Sequence, residues 1–78
     1  MEAYEKIVRD AIADAPLARK LGIACEEVAV DRVVMRLPWT PEHTTVGDLV
    51  HGGAIAALVD VTATGACWAT PGLEPGAR

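Results

Sequence analysis

The chain contains no serine and no phenylalanine, and its only aromatic side chains are Tyr4, Trp39 and Trp68. Without serine there is no serine nucleophile, and no Cys–His pairing stands in for one. With so few rings the apolar content, 51% of 78 residues, rests on alanine and valine, which suits close approach of backbones. Basic residues are sparse as well: seven Lys and Arg are scattered against eleven Asp and Glu, a net charge of −4. That excludes the clustered positive face that a nucleic acid requires.

Cysteine is limited to Cys25 and Cys67, far apart and without paired spacing, which reads as two reduced core thiols in a cytoplasmic protein. Together with His43 and His51 they make no recognised metal spacing, so neither a metal nor a cofactor is expected. The stretch GDLVHGG lacks the glycine count and the Lys-Ser/Thr pair of a phosphate loop. The opening residues MEAYEKIVRD are charged and amphipathic, so no secretory signal is expected.

One long apolar run is present, Gly52 to Ala69, whose single charged residue is Asp60. At eighteen residues it stands at the lower edge of a membrane span. A mid-bilayer carboxylate costs about 2.5–3.5 kcal/mol on insertion scales, and no Lys or Arg flanks the run closely. A water-exposed protein is the expectation.

Periodicity supplies the elements. Tyr4, Ile7, Val8, Ala11, Ile12 and Ala15 recur at helical spacing, predicting a helix over Glu2–Ala15 that Pro16 ends. PLARKLGI is expected to lead into extended chain. Ile23–Val30 and Val33–Leu37 read as two strands of an antiparallel hairpin turning at Asp31-Arg32. After the loop WTPEHTTVGD, a helix runs from an N-cap at Asp48 to Thr70, where Pro71-Gly72 stops it, and turn residues follow. A helix apolar on every side requires cover on every side, which one hairpin cannot give. A chain of this size buries only about 60% of the surface it exposes when unfolded. The chain is therefore expected to be part of a longer domain, or to be completed by partner chains.

Two features carry chemistry. Glycines at a helix start let a ligand approach first-turn N–H groups that have no intrahelical partner, and such an end polarises a carbonyl oxygen. The same tripeptide His51-Gly52-Gly53 would also serve as a plain tight turn. Asp60 is the second: a carboxyl in an apolar setting has its pKa pushed upward, the tuning a general base uses. The plain alternative is a solvent-facing strip, although of the helical neighbours Ala56, Ala57, Ala63 and Thr64 only Thr64 is polar. His51 and Asp60 are nine residues apart, about 180° around a helix and roughly 13.5 Å along it. One small substrate cannot touch both ends within one helix. A shared site would take the Asp from one chain and the glycine end from another.

His51-Gly52-Gly53, six further residues and then Asp60 resemble the motif of hotdog-fold acyl-CoA thioesterases of the phenylacetate-pathway type. PLARKLGI (16–23) and RLPWTPEHTTVGD (36–48) extend the resemblance over nearly the whole chain. It implies an α+β hotdog fold, an antiparallel sheet wrapped around one long central helix, in a homodimer or homotetramer. It further implies hydrolysis of an acyl-CoA or acyl-carrier-protein thioester. Asp60 would be base or nucleophile, Gly52 or Gly53 of the other protomer the oxyanion donor, and His51 a positioning residue. The family often carries Asn six residues before the histidine, where this chain has Thr45, a hydroxyl that still hydrogen-bonds but lacks the amide's paired donor and acceptor. On this resemblance residues 1–78 are expected to be the N-terminal portion of such a domain, without the strands that follow the helix. A non-catalytic acyl-CoA-binding or assembly module, or an inactive truncated piece, are the alternatives.

Overall fold

The computed structural model describes residues 2–71 and shows a small α+β arrangement: helices, a two-stranded antiparallel sheet and one long helix. The expected turns beyond Pro71 lie outside the described residues. Helix α1 covers Ala3–Lys6 and continues through a wider, π-helical stretch at Ile7–Ile12. It closes with Ala13 N–H donating to Val8 O at 2.8 Å. The helix expected up to Ala15 thus ends sooner, because Ala15 is already extended (φ −61°, ψ 153°) to suit the proline after it.

Pro16 does not lead into extended chain as expected. It opens a second helix, α2 (Pro16–Leu21), at the first position, where its missing N–H costs nothing. Gly22 ends α2 in the left-handed region (φ 75°), and its N–H donates to Arg19 O at 3.1 Å. The proline that the sequence reading took as a stop is equally a start, and the αL glycine six residues on tells the two apart.

The hairpin is present. Strand β1 (Ala24–Ala29) pairs antiparallel with β2 (Arg32–Arg36). The register passes from Cys25↔Met35 to Glu27↔Val34, leaving Glu26 as an extra residue on β1. This bulge explains why the first strand lacks clean alternation. By adding one residue it lets Cys25 and Val28 pair with the half-buried Met35 and Val33, while Glu27 and Val34 stay exposed. The turn falls on Val30-Asp31, one residue before the expected place, because Asp31 takes the left-handed conformation (φ 55°) that Asp tolerates.

Helix α3 spans Gly52–Trp68. It is shorter at both ends than the sequence reading, and its N-cap is His51, not Asp48, which sits in the exposed loop before it. Its inner face lies on β2 and on α1. Gly65 makes the closest approach: a Cβ there would stand 3.0 Å from Met35 Cε, 3.4 Å from Val8 Cγ1 and 3.5 Å from Val33 Cγ1. The far end of α3 is tied to the hairpin by Asp31 N–H donating to Ala69 O at 2.8 Å. Arg9 fastens α1 to β1, its guanidinium donating to Cys25 O at 3.1 Å.

The core is small and made mostly of alanine: Val8, Ala13, Ala18, Ile23, Ala54 and Ala69. Among the described residues Val8 is the largest fully buried side chain. Ile55, Val59, Val46, Leu49, Leu17 and Trp39 stand exposed. Cys67, read from sequence as a core thiol, is exposed too, whereas Cys25 is half-buried and burial pushes its thiol pKa up against the opposing pull of Arg9. Among the described residues no helix is long and apolar enough to cross a membrane.

Candidate active site

The start of α3 is built by the loop before it. Trp39 Nε1 donates to Asp48 O at 3.1 Å, clasping the loop's two sides. Further in, Thr44 and Val50 form an isolated antiparallel bridge, and Thr45 N–H donates to Leu49 O at 2.8 Å. Gly47 makes the turn in the left-handed region (φ 62°). This small loop brings His43 and His51 side by side: the His51 N–H donates to His43 O at 2.6 Å.

His51 then caps the helix. Gly53 N–H donates to His51 Nδ1 at 2.8 Å, and Ala54 and Ile55 donate to His51 O at 3.0 and 3.2 Å. The imidazole takes the part an Asp or Ser side chain usually plays. This divides the two candidate oxyanion donors. Gly53 N–H is occupied by the cap, whereas Gly52, at the first helical position, has an N–H with no intrahelical acceptor. No Cβ stands in the way, since one built on Gly52 would meet nothing within 4 Å.

Asp60 lies on the outer face of α3, exposed, not buried as the apolar run had suggested. The outer face holds Gly52, Ala56, Val59, Asp60, Ala63 and Cys67, a succession at helical spacing in which Asp60 is the single charge. Gly52 and Asp60 are two turns apart, about 12 Å along the axis, so one chain does not bring them together. Thr45 is exposed in the loop that precedes the helix.

An open cavity of about 310 Å³ lies beside the helix start. Leu17 and Leu21 of α2 wall one side and Ala54 and Ala57 of α3 the other, with His43, His51 and Glu42 between them. The Glu42 carboxyl is held below its ordinary value by its own backbone N–H and then by the Thr40 hydroxyl. His43 is 7% exposed, the single buried polar residue among those described, and its Nδ1 lies 2.9 Å from Pro38 O. The sequence reading had weighed His43 only as a metal ligand. Its spacing eight residues before His51 gave no sign that the two rings would share a cavity. Among the described residues no three His, Cys, Asp or Glu side chains gather as a metal site would require.

Comparison with models of known protein families, with characterised proteins and with solved structures finds no match.

Proposed function

We propose that the chain carries the catalytic helix of a hotdog-type acyl-CoA thioesterase and acts in a site completed by a second copy. The observation that supports this reading most is the outer face of α3: it presents one carboxylate, Asp60, and one glycine with an uncommitted first-turn N–H, Gly52, on the same exposed surface. They are too far apart to serve one small group within a chain, and a two-fold pairing of outer faces would bring the Asp60 of one copy toward the Gly52 of the other.

In such a site Asp60 takes a proton from water as the water oxygen adds to the thioester carbonyl. The carbonyl oxygen becomes an oxyanion that accepts the Gly52 N–H, favoured by the positive end of the helix dipole. Collapse of the intermediate expels the thiolate of CoA, which takes up the proton and leaves as the thiol. His51 positions the amide by holding the first turn, and Thr45 would offer a hydroxyl from the preceding loop. Attack by Asp60 itself, through an anhydride that water then opens, has the same residue requirements.

The test is hydrolysis of a panel of short, long and aromatic acyl-CoAs followed by thiol release. Asp60→Asn should lower kcat by at least about 100-fold, in the range that loss of a general base gives. Unchanged turnover in that variant would sink the proposal. Binding of acyl-CoA without turnover by the unsubstituted protein would favour a binding module, the reading that Thr45 in place of the family's Asn keeps open.

A further inference from the structure

Two hydrogen bonds fix the protonation pattern of the two histidines in the cavity. A backbone carbonyl can only accept, so the ring atom facing Pro38 O, His43 Nδ1, carries a proton. A backbone amide can only donate, so the atom receiving Gly53 N–H, His51 Nδ1, carries none. In their neutral forms the rings are therefore opposite tautomers. His43 is left with a bare Nε2, an acceptor, and His51 with an Nε2–H, a donor.

Both rings line the same cavity. His43 Nε2 has no hydrogen-bond partner among the described residues, yet it is not sealed away, since no buried polar side-chain atom lacks a partner. His43 is itself among the residues that line the cavity. A nine-tenths-buried imidazole thus keeps one acceptor for a guest and has its other nitrogen spent on the fold. Leu17, Leu21 and Ala57 line the same cavity with apolar side chains.

The guest's chemistry follows from the lining. One acceptor and one donor on apolar walls match a group that itself has one donor and one acceptor and no charge. An anion is disfavoured: Glu42 stands at the rim as a carboxylate, and the second-position amide of the helix is already capped. A cation would meet the His51 Nε2–H. We propose that this cavity is a docking pocket for a secondary amide on an apolar arm, its N–H donated to His43 Nε2 and its carbonyl accepting His51 Nε2–H. The pocket rests on geometry independent of Asp60. Taken with the function proposed above, the arm is pantetheine, whose inner amide stands two methylenes from the thioester sulfur.

Imidazole nitrogen-15 spectra of the whole chain at about pH 8, above the ordinary histidine range, should show one ring in each neutral tautomer. Pantetheine should shift both Nε2 signals. Its analogue with an ester oxygen in place of the inner N–H should bind about 5- to 10-fold more weakly, the loss of one hydrogen bond. In His43→Asn the side-chain amide can still donate to Pro38 O but offers nothing at the Nε2 position. That variant should fold, shown by an unchanged circular dichroism spectrum, and should bind amide and ester equally. The same tautomer in both rings, or equal binding of amide and ester by the unsubstituted chain, overturns the proposal. If His43→Asn fails to fold, the tautomer and amide–ester comparisons on the unsubstituted chain still decide. A simple peptide amide, N-acetylglycine methylamide, distinguishes the source: binding as tight as pantetheine would assign the pocket to a peptide. Pantetheine binding that survives alongside unchanged hydrolysis in Asp60→Asn would remove the thioesterase reading and leave the pocket standing.

Discussion

The two faces of α3 are made of the same kinds of residue and have opposite fates. The inner face is buried at Ala54 and Gly65, with Gly65 lying against Met35 and Val33 of β2 and Val8 of α1. The outer face, with Ala56, Val59, Ala63 and Cys67, stands in solvent around Asp60. Composition does not distinguish them, and both are dominated by small apolar side chains. What distinguishes them is what the rest of the chain brings to the helix. The hairpin, α1 and α2 pack on one side, while the outer residues stay exposed, with Val59 and Ala63 edging a hollow beside Met35 of β2. The lesson is that an all-round apolar helix announces more packing than its own chain supplies.

The largest effect should come from crowding the inner face. Gly65→Leu forces a side chain into the space held by Met35, Val8 and Val33 and should cost about 3 kcal/mol or more, whereas Ala56→Leu on the outer face should leave the thermal melt nearly unchanged. Next comes truncation. Val8→Ala, at a fully buried site, should cost about 2 kcal/mol in urea unfolding. Val59→Ala, 62% exposed, should stay within about 0.5 kcal/mol for a single chain. A concentration-dependent loss from Val59→Ala, read by sedimentation, would show that a second copy covers the outer face.

Smaller again is the helix start. His51→Ala removes the side-chain acceptor of Gly53 N–H and should cost about 1 kcal/mol, with the loss recovered in His51→Asp, which restores a cap. The smallest effect belongs to a surface pair far from either face. Arg19 donates to Asp14 at 2.8 and 3.1 Å and so holds the Asp14 carboxyl below its ordinary value. A lowered folded-state pKa contributes stability that is present above the ordinary carboxylate range and is lost as pH falls through the folded value. Both side chains are exposed to water, so salt should screen most of the effect. Arg19→Met should flatten this acid-side slope by slightly lowering the neutral-pH melting temperature, leaving the value at acid pH unmoved.

Much of the fold was legible. The first helix and the second strand leave a period in the sequence, and the long helix shows as an apolar run stopped by Pro71-Gly72. The errors cluster where one residue type serves two purposes. Pro16 ends one helix and begins another, and nothing at Pro16 itself reveals which matters more. Asp48 looks like a cap, yet the loop bridge at Thr44 and Val50 places His51 at that position instead. The candidate site was half legible: His51, Gly52 and Asp60 stand out by composition, but His43 does not, since its partners Pro38 and His51 come to it only through the folded loop.

By itself the sequence determined the order of a first helix, a hairpin and a long helix, and the presence of a single carboxylate in that long apolar helix. Those are consequences of local periodicity and of proline and glycine placement. Tertiary structure alone decided which face of α3 would be covered. It decided that Gly53 rather than Gly52 spends its amide on the cap, and that His43 and His51 line one cavity. The physical reason is that these depend on contacts between residues distant along the chain, where a hydrogen-bond partner is chosen by the approach of whole elements and not by neighbours in sequence.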